Sequence, residues 1–143
     1  MAILAMQQYA LFLAERAPAA RLVESQSAIL RLRRERAFGI WLPWRLAGLA
    51  ADLPASWAVT SDSIALWLAA RLRASELLLV KHLPPGMERA SMAALLRAGI
   101  LDRAFAGMGR RFRGRWRVVD VADARALMRI SPCPSRQGGE EEA

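Results

Sequence analysis

Four consecutive polar residues, Thr60, Ser61, Asp62 and Ser63, stand directly ahead of an apolar stretch with helical spacing, and Lys81 and His82 close a later apolar run. Hydroxyls, free backbone amides and one carboxylate at a helix N-terminus suit the holding of an anion. Through Asp62 they also suit the orienting of a cationic group that holds one. Lys81 and His82 add an ammonium and an imidazole. Each group has an ordinary structural use as well: Thr-Ser-Asp-Ser as a helix cap, Lys81 as a solvated strand end, His82 as a loop residue. No Ser/His/acid arrangement, no pair of metal ligands and no glycine-rich phosphate loop stands out in the sequence. The residues by themselves therefore reach a candidate anion site and no further.

The elements that must position these groups alternate between strand and helix. Ile3, Met6, Ala10 and Leu13 repeat at helical spacing over residues 2–16, and Pro18 follows. Leu22 and Val23 predict a short strand, Ser25 a cap, and Ile29, Leu30 and Leu32 the inward face of a helix reaching about Arg36. Ile40, Trp41 and Leu42, apolar without alternation and ended by Pro43, predict a strand buried on both faces. Residues 44–54 read as a loop with one helical turn. From Trp57 to Leu72 the order is strand end, polar turn and helix, with Ile64, Trp67, Leu68 and Leu72 as the buried stripe. The run from Glu76 to Lys81 predicts a central parallel strand. Pro84, Pro85 and Gly86 predict a turn, and residues 88–98 a helix stopped by Gly99. The basic stretch from Gly109 to Arg115 predicts an exposed loop or hairpin tip, Trp116 to Val121 the last strand, and Ala122 to Met128 a final short helix. Such alternation predicts an α/β fold, a three-layer αβα arrangement with a mostly parallel sheet. In an open parallel sheet ligands bind beyond the carboxyl ends of the strands, where Val59–Ser63 and Lys81–Gly86 both fall.

Composition limits the classes. The chain has 143 residues, 55% hydrophobic and 24% charged, enough for one domain with a core, read here as residues 1–130 with a disordered tail over 131–143. No apolar run reaches the roughly 18 residues of a membrane span. Cys133 is the only cysteine and no basic residues precede the first apolar stretch, so a cytoplasmic, reducing compartment is expected. The formal charge is +8, yet Lys81 is the only lysine. A coding bias toward arginine accounts for that skew more simply than a basic surface does, so nucleic acid is not the expected partner, although Arg110, Arg111, Phe112, Arg113, Arg115 and Trp116 interleave arginines with aromatics.

Two segments carry a resemblance. Trp57 to Ala69, W-A-V-T-S-D-S-I-A-L-W-L-A, followed by E-L-L-L-V-K, resembles the turn, helix and strand of the amino acid kinase superfamily, which includes aspartate, acetylglutamate and uridylate kinases. The nearer likeness is to its small branch containing (aminomethyl)furanmethyl phosphate kinase. The A-M-Q-Q-Y segment ending at Tyr9 and the A-G-x-x-D-x-A-F segment, Ala98 to Phe105, are similar to that branch as well.

The resemblance implies an ATP-dependent small-molecule kinase using ATP and Mg2+, with a phosphorylated furan or similar metabolite as substrate and a homo-oligomeric state. It implies that Asp62 organises the lysines that stabilise the transferring phosphoryl group. It also implies that Thr60, Ser61 and Ser63 lie near substrate, and that Lys81 lies on the nucleotide side. Relatives begin with a strand and a K-x-G-G-S turn and carry a second glycine-rich turn, both of which would precede Met1, and H-L-P-P-G follows Lys81 where relatives usually have Asp-Gly. The expectation is thus the C-terminal part of that fold, with Met1 internal to a longer reading frame. A noncatalytic remnant or partner subunit of such a kinase is the alternative, and a basic nucleic-acid binder a third reading.

Overall fold

The structure is a computed structural model and describes residues 1–124. Its elements, in chain order, are α1 (Ala2–Arg16), β1 (Arg21–Val23), α2 (Gln26–Glu35), β2 (Gly39–Trp41), α3 (Trp44–Ala47), α4 (Ser61–Arg71), β3 (Glu76–Lys81), α5 (Met92–Arg97), α6 (Phe105–Gly109) and β4 (Arg115–Asp120). The chain is mixed α/β, as the alternation predicts. The expected tail over 131–143 and most of the helix expected over 122–128 lie outside the described residues. No described helix is long and apolar enough to cross a membrane.

Both sheets are parallel and two-stranded. β1 pairs with β2 in the register Arg21↔Gly39 to Val23↔Trp41, and β3 pairs with β4 from Glu76↔Arg115 to Lys81↔Asp120. Each strand has a single partner among the described residues, so β3 is not a central strand. One face of β3 turns Leu79 into the core, while Leu78 and Val80 on the other are 41% and 50% exposed. Ile40 and Trp41 are half-buried rather than enclosed on both faces.

α4 is the organising helix. Its sides feed two clusters: Leu66 and Ala69 join Leu79, Leu95, Leu101, Phe105 and Phe112, while Ile64 and Trp67 join Ala47, Leu53 and Val59 under α1. A helix buried on two sides cannot show one clean stripe, which is why Leu66 and Ala69 escape the expected set. Phe105 is fully buried and meets the Trp116 ring edge-on at 5.1 Å between centroids, a favourable aromatic geometry.

Local chemistry sets the element ends. Ser25 Oγ accepts from the Ala28 amide at 3.2 Å and Ser91 Oγ from the Ala94 amide at 3.3 Å, so each caps its helix. The Ser91 cap delays α5 relative to the expected start near Glu88, because residues 84–90 spend their backbone bonds on turns, Met87 to Pro84 and Ala90 to Met87. No strand forms at Trp57. Ser56 accepts from the amides of both Ala58 and Val59, which closes a turn and leaves Trp57 87% exposed.

The basic stretch is less open than its composition implies: its first residue, Gly109, ends α6, and Phe112 is buried. Gly114 lets the chain pass under the start of β3. A methyl group there would stand 2.5 Å from Phe112 Cζ and 2.9 Å from the Ser75 carbonyl oxygen, with the Ala74 carbonyl closer still. Backbone atoms cannot yield as a flexible side chain can, so Gly114→Ala is expected to lower stability by about 2 kcal/mol. Urea denaturation followed by tryptophan fluorescence measures it.

Candidate functional site

The four polar residues at the start of α4 divide into two networks. Asp62 is 5% exposed and its carboxylate holds Lys81, with Nζ 2.7 Å from Oδ1 and 2.9 Å from Oδ2. The pairing follows from topology. α4 runs back antiparallel to β3 through the short connection at 72–75, so the carboxyl end of the strand meets the N-terminus of the helix. Lys81 is thus a partly buried ion-pair partner, not a solvated strand end.

Thr60 and Ser63 face the other way, onto Asp102. Asp102 Oδ2 accepts from the Thr60 amide at 2.8 Å, the Thr60 hydroxyl at 2.9 Å and the Ser63 amide at 3.0 Å. Its Oδ1 accepts from the Ser63 hydroxyl and from the Phe105 amide at 3.0 Å. Thr60 is therefore the N-cap residue by position but makes no side-chain cap. The carboxylate of Asp102 supplies the cap, satisfying two free amides of α4 and placing negative charge at its positive end. Burial pushes the Asp102 carboxyl up, and the bonds from Ser63 and Thr60 outweigh it, holding the group below the usual aspartate value. Ser61 is exposed and belongs to neither network.

The residue that sequence reasoning missed is Asp102. Its signal was present, since it is the acid of the A-G-x-x-D-x-A-F segment, but nothing in the spacing says that this segment closes on Thr-Ser-Asp-Ser. The structure joins the two: besides the Asp102 bonds, the Ala104 amide donates to the Ala58 carbonyl at 3.1 Å. The A-M-Q-Q-Y segment has a structural use too, for Gln7 Oε1 accepts from the Trp44 amide at 3.1 Å and docks α3 on α1.

At the end of β4, opposite Lys81, the Asp120 carboxylate accepts from the Leu83 amide at 2.9 Å and the Ala122 amide at 2.8 Å. Those backbone bonds hold its carboxyl below the usual range and fix the start of the loop that carries exposed His82. Thr60 also lines an apolar cleft of about 500 Å³ with Ile3, Leu53, Trp57, Val59 and Ile64. Among the described residues no three His, Cys, Asp or Glu side chains converge to hold a metal ion. Comparison of the chain with protein-family models, curated proteins and solved structures finds no match.

The arrangement has a definite chemical capacity. A buried carboxylate fixes one ammonium at the carboxyl end of a parallel pair of strands. The adjoining helix N-terminus is neutralised by a second carboxylate. At this end of β3 the groups within reach of an incoming anion are Lys81, paired with Asp62 and with 27% of its side chain exposed, and the exposed imidazole of His82.

Proposed function

We propose that the chain is part of an ATP-dependent small-molecule kinase of the amino acid kinase type, cytoplasmic and homo-oligomeric, with this region contributing to a three-layer αβα domain. The observation that carries the reading is the Asp62–Lys81 ion pair at the carboxyl end of β3. Phosphoryl transfer depends on positioned positive charge, and a lysine held by a buried acid keeps its ammonium in one place without spending that place on solvent. In this reading Asp62 is a positioning residue and Lys81 is the group that meets a phosphate oxygen. Thr60, which lines the apolar cleft, and exposed Ser61 flank the substrate, while Ser63, fully buried on Asp102, holds the turn from beneath; the cleft suits a small ring such as a phosphorylated furan.

The described residues fit ATP only through Lys81, and they do not supply a carboxylate set for Mg2+, since Asp62 and Asp102 are committed to internal donors. No step is therefore assigned to the metal. ATP, when bound, supplies the transferable phosphoryl group, and Lys81 offsets charge on it.

Phosphorus NMR of ATP titrated with the chain tests the reading. Line broadening of the phosphate signals is expected, weakened about tenfold in affinity by Lys81→Met, while phosphoryl transfer by the chain alone is not expected because the sequence holds no glycine-rich phosphate turn. Phosphate signals indifferent to Lys81→Met would sink the phosphate role of the lysine. Robust turnover abolished by Asp62→Ala would overturn the expectation of inactivity.

The second reading, a noncatalytic partner of such a kinase, is favoured by the open face of β3. Leu78 and Val80 stand exposed where an αβα domain would have its other helical layer.

A further inference from the structure

At the opposite end of the β3–β4 sheet from Asp62 and Lys81, the start of both strands opens onto a cleft of about 720 Å³ whose lining includes Arg73, Arg111, Arg113 and Arg115 and no acid. A second cleft of about 440 Å³ shares Arg73, Ala74 and Ser75 with it and extends to Arg33, Ile29 and Leu30 of α2. The two adjoin at those shared residues and are treated together as one groove, whose five arginines come from three separate stretches of chain. A coding bias explains how many arginines the sequence has. It does not explain why these converge.

The groove is anchored. Arg33 Nη1 donates to the Leu72 carbonyl at 3.4 Å, holding α2 against the end of α4. The one acid of the second cleft, Glu76, is already paired with Arg117 at 3.0 Å. Among the described residues none of Arg73, Arg111, Arg113 and Arg115 forms an ion pair. Arg73 has φ +50°, in the left-handed position after a helix where glycine is the favoured residue, a conformation that Arg36 shares after α2 at φ +52°. The aromatics of the stretch are not available for stacking: Phe112 is buried and Trp116 packs against Phe105.

We infer that this groove binds single-stranded nucleic acid through its phosphate backbone, without base stacking. Forked guanidinium groups match phosphate oxygens. The neutral and apolar walls between them, Ile29, Leu30, Leu72 and Ala74, suit sugar and base surface better than a bare inorganic polyphosphate. A concave groove admits a flexible strand, whereas a duplex presents a convex one. The inference is independent of the kinase reading, which concerns the other end of the sheet.

The test is fluorescence anisotropy of a labelled mixed-sequence oligonucleotide of about a dozen nucleotides, titrated with the whole chain at several salt concentrations. Four or so phosphate contacts predict a slope of log K against log salt of about −2 to −3. Arg111→Glu/Arg113→Glu should weaken binding at least thirtyfold. Arg97→Glu/Arg103→Glu, the same change in net charge at positions outside both clefts, should cost less than threefold. Arg73→Gly supplies the variant that cannot be dismissed as misfolded: its melting temperature should hold or rise while binding weakens severalfold. Equal losses from the two double variants, undiminished binding by Arg73→Gly, or tighter binding of duplex or of inorganic polyphosphate than of the single strand would each overturn the inference.

Discussion

Replacing Asp102 by alanine is expected to lower the stability of the chain by about 4 kcal/mol, a large fraction of the roughly 5–15 kcal/mol that holds a domain together. The size follows from the number of donors involved. Thr60, Ser63 and Phe105 direct backbone amides at this one carboxylate, and Thr60 and Ser63 add their hydroxyls. The hydroxyls can rotate to other partners, but the amides are fixed by the backbone and Ser63 is fully buried. Bonds to an ionised acceptor are each stronger than neutral ones, and an unsatisfied buried donor bears its full desolvation cost.

Asp102→Asn keeps the shape and one acceptor oxygen, so about half the loss is expected. Urea unfolding of both variants measures the difference, and a loss below about 0.5 kcal/mol for Asp102→Ala would show that water replaces the carboxylate without penalty. The same bonds fix a pH dependence. Because the folded carboxyl is held below its ordinary value of 3.8, its stabilisation is complete above that pH and is lost as pH falls through the lower, folded value. Asp102→Ala should remove that acid-side loss of stability.

Asp102 also marks what the sequence made legible and what it did not. Elements with a local cause were readable: α1 from its repeat, α2 from Ser25, β4 from an apolar run after a basic one. The turn at Thr60 and the helix after it were readable for the same reason. Contacts between distant segments were not. The use of Thr-Ser-Asp-Ser as the cap of α4 is a local expectation, and the structure replaces it with a carboxylate from a segment about forty residues later, for which no periodicity can speak. Helix α6, only five residues, is too short to carry a repeat. The strand assigned to Trp57 failed because an apolar run says nothing of the Ser56 turn that ends it. In the same way, the arginines of the groove were readable as composition, while their convergence with Arg33 and Arg73 depends on how α2 and α4 end.

Lys81 and Asp62 allow structure and function to be separated, because the two partners are unequally buried. Asp62 is nearly sealed, whereas Lys81 has about a quarter of its side chain in solvent. Lys81→Met strands a carboxylate in the interior and is expected to cost about 3 kcal/mol, the range for breaking a buried pair from one side. Asp62→Asn leaves an ammonium that can swing to water, and about 1 kcal/mol is expected. The double variant Asp62→Asn/Lys81→Met buries no charge and should recover to within about 1 kcal/mol of the parent chain, since a neutral pair often matches a buried ionic one in stability. Phosphate binding should follow a different order. If the ammonium meets a phosphoryl group, binding falls in Lys81→Met and stays lost in the double variant, however well that variant folds. In Asp62→Asn the charge is kept but its position is not, so binding falls only partly. Urea unfolding and phosphorus NMR on the same three variants read the two orders side by side. Binding that tracked stability across all three would reduce the ion pair to a fastening between α4 and β3, and Lys81 would lose its claim to the phosphate.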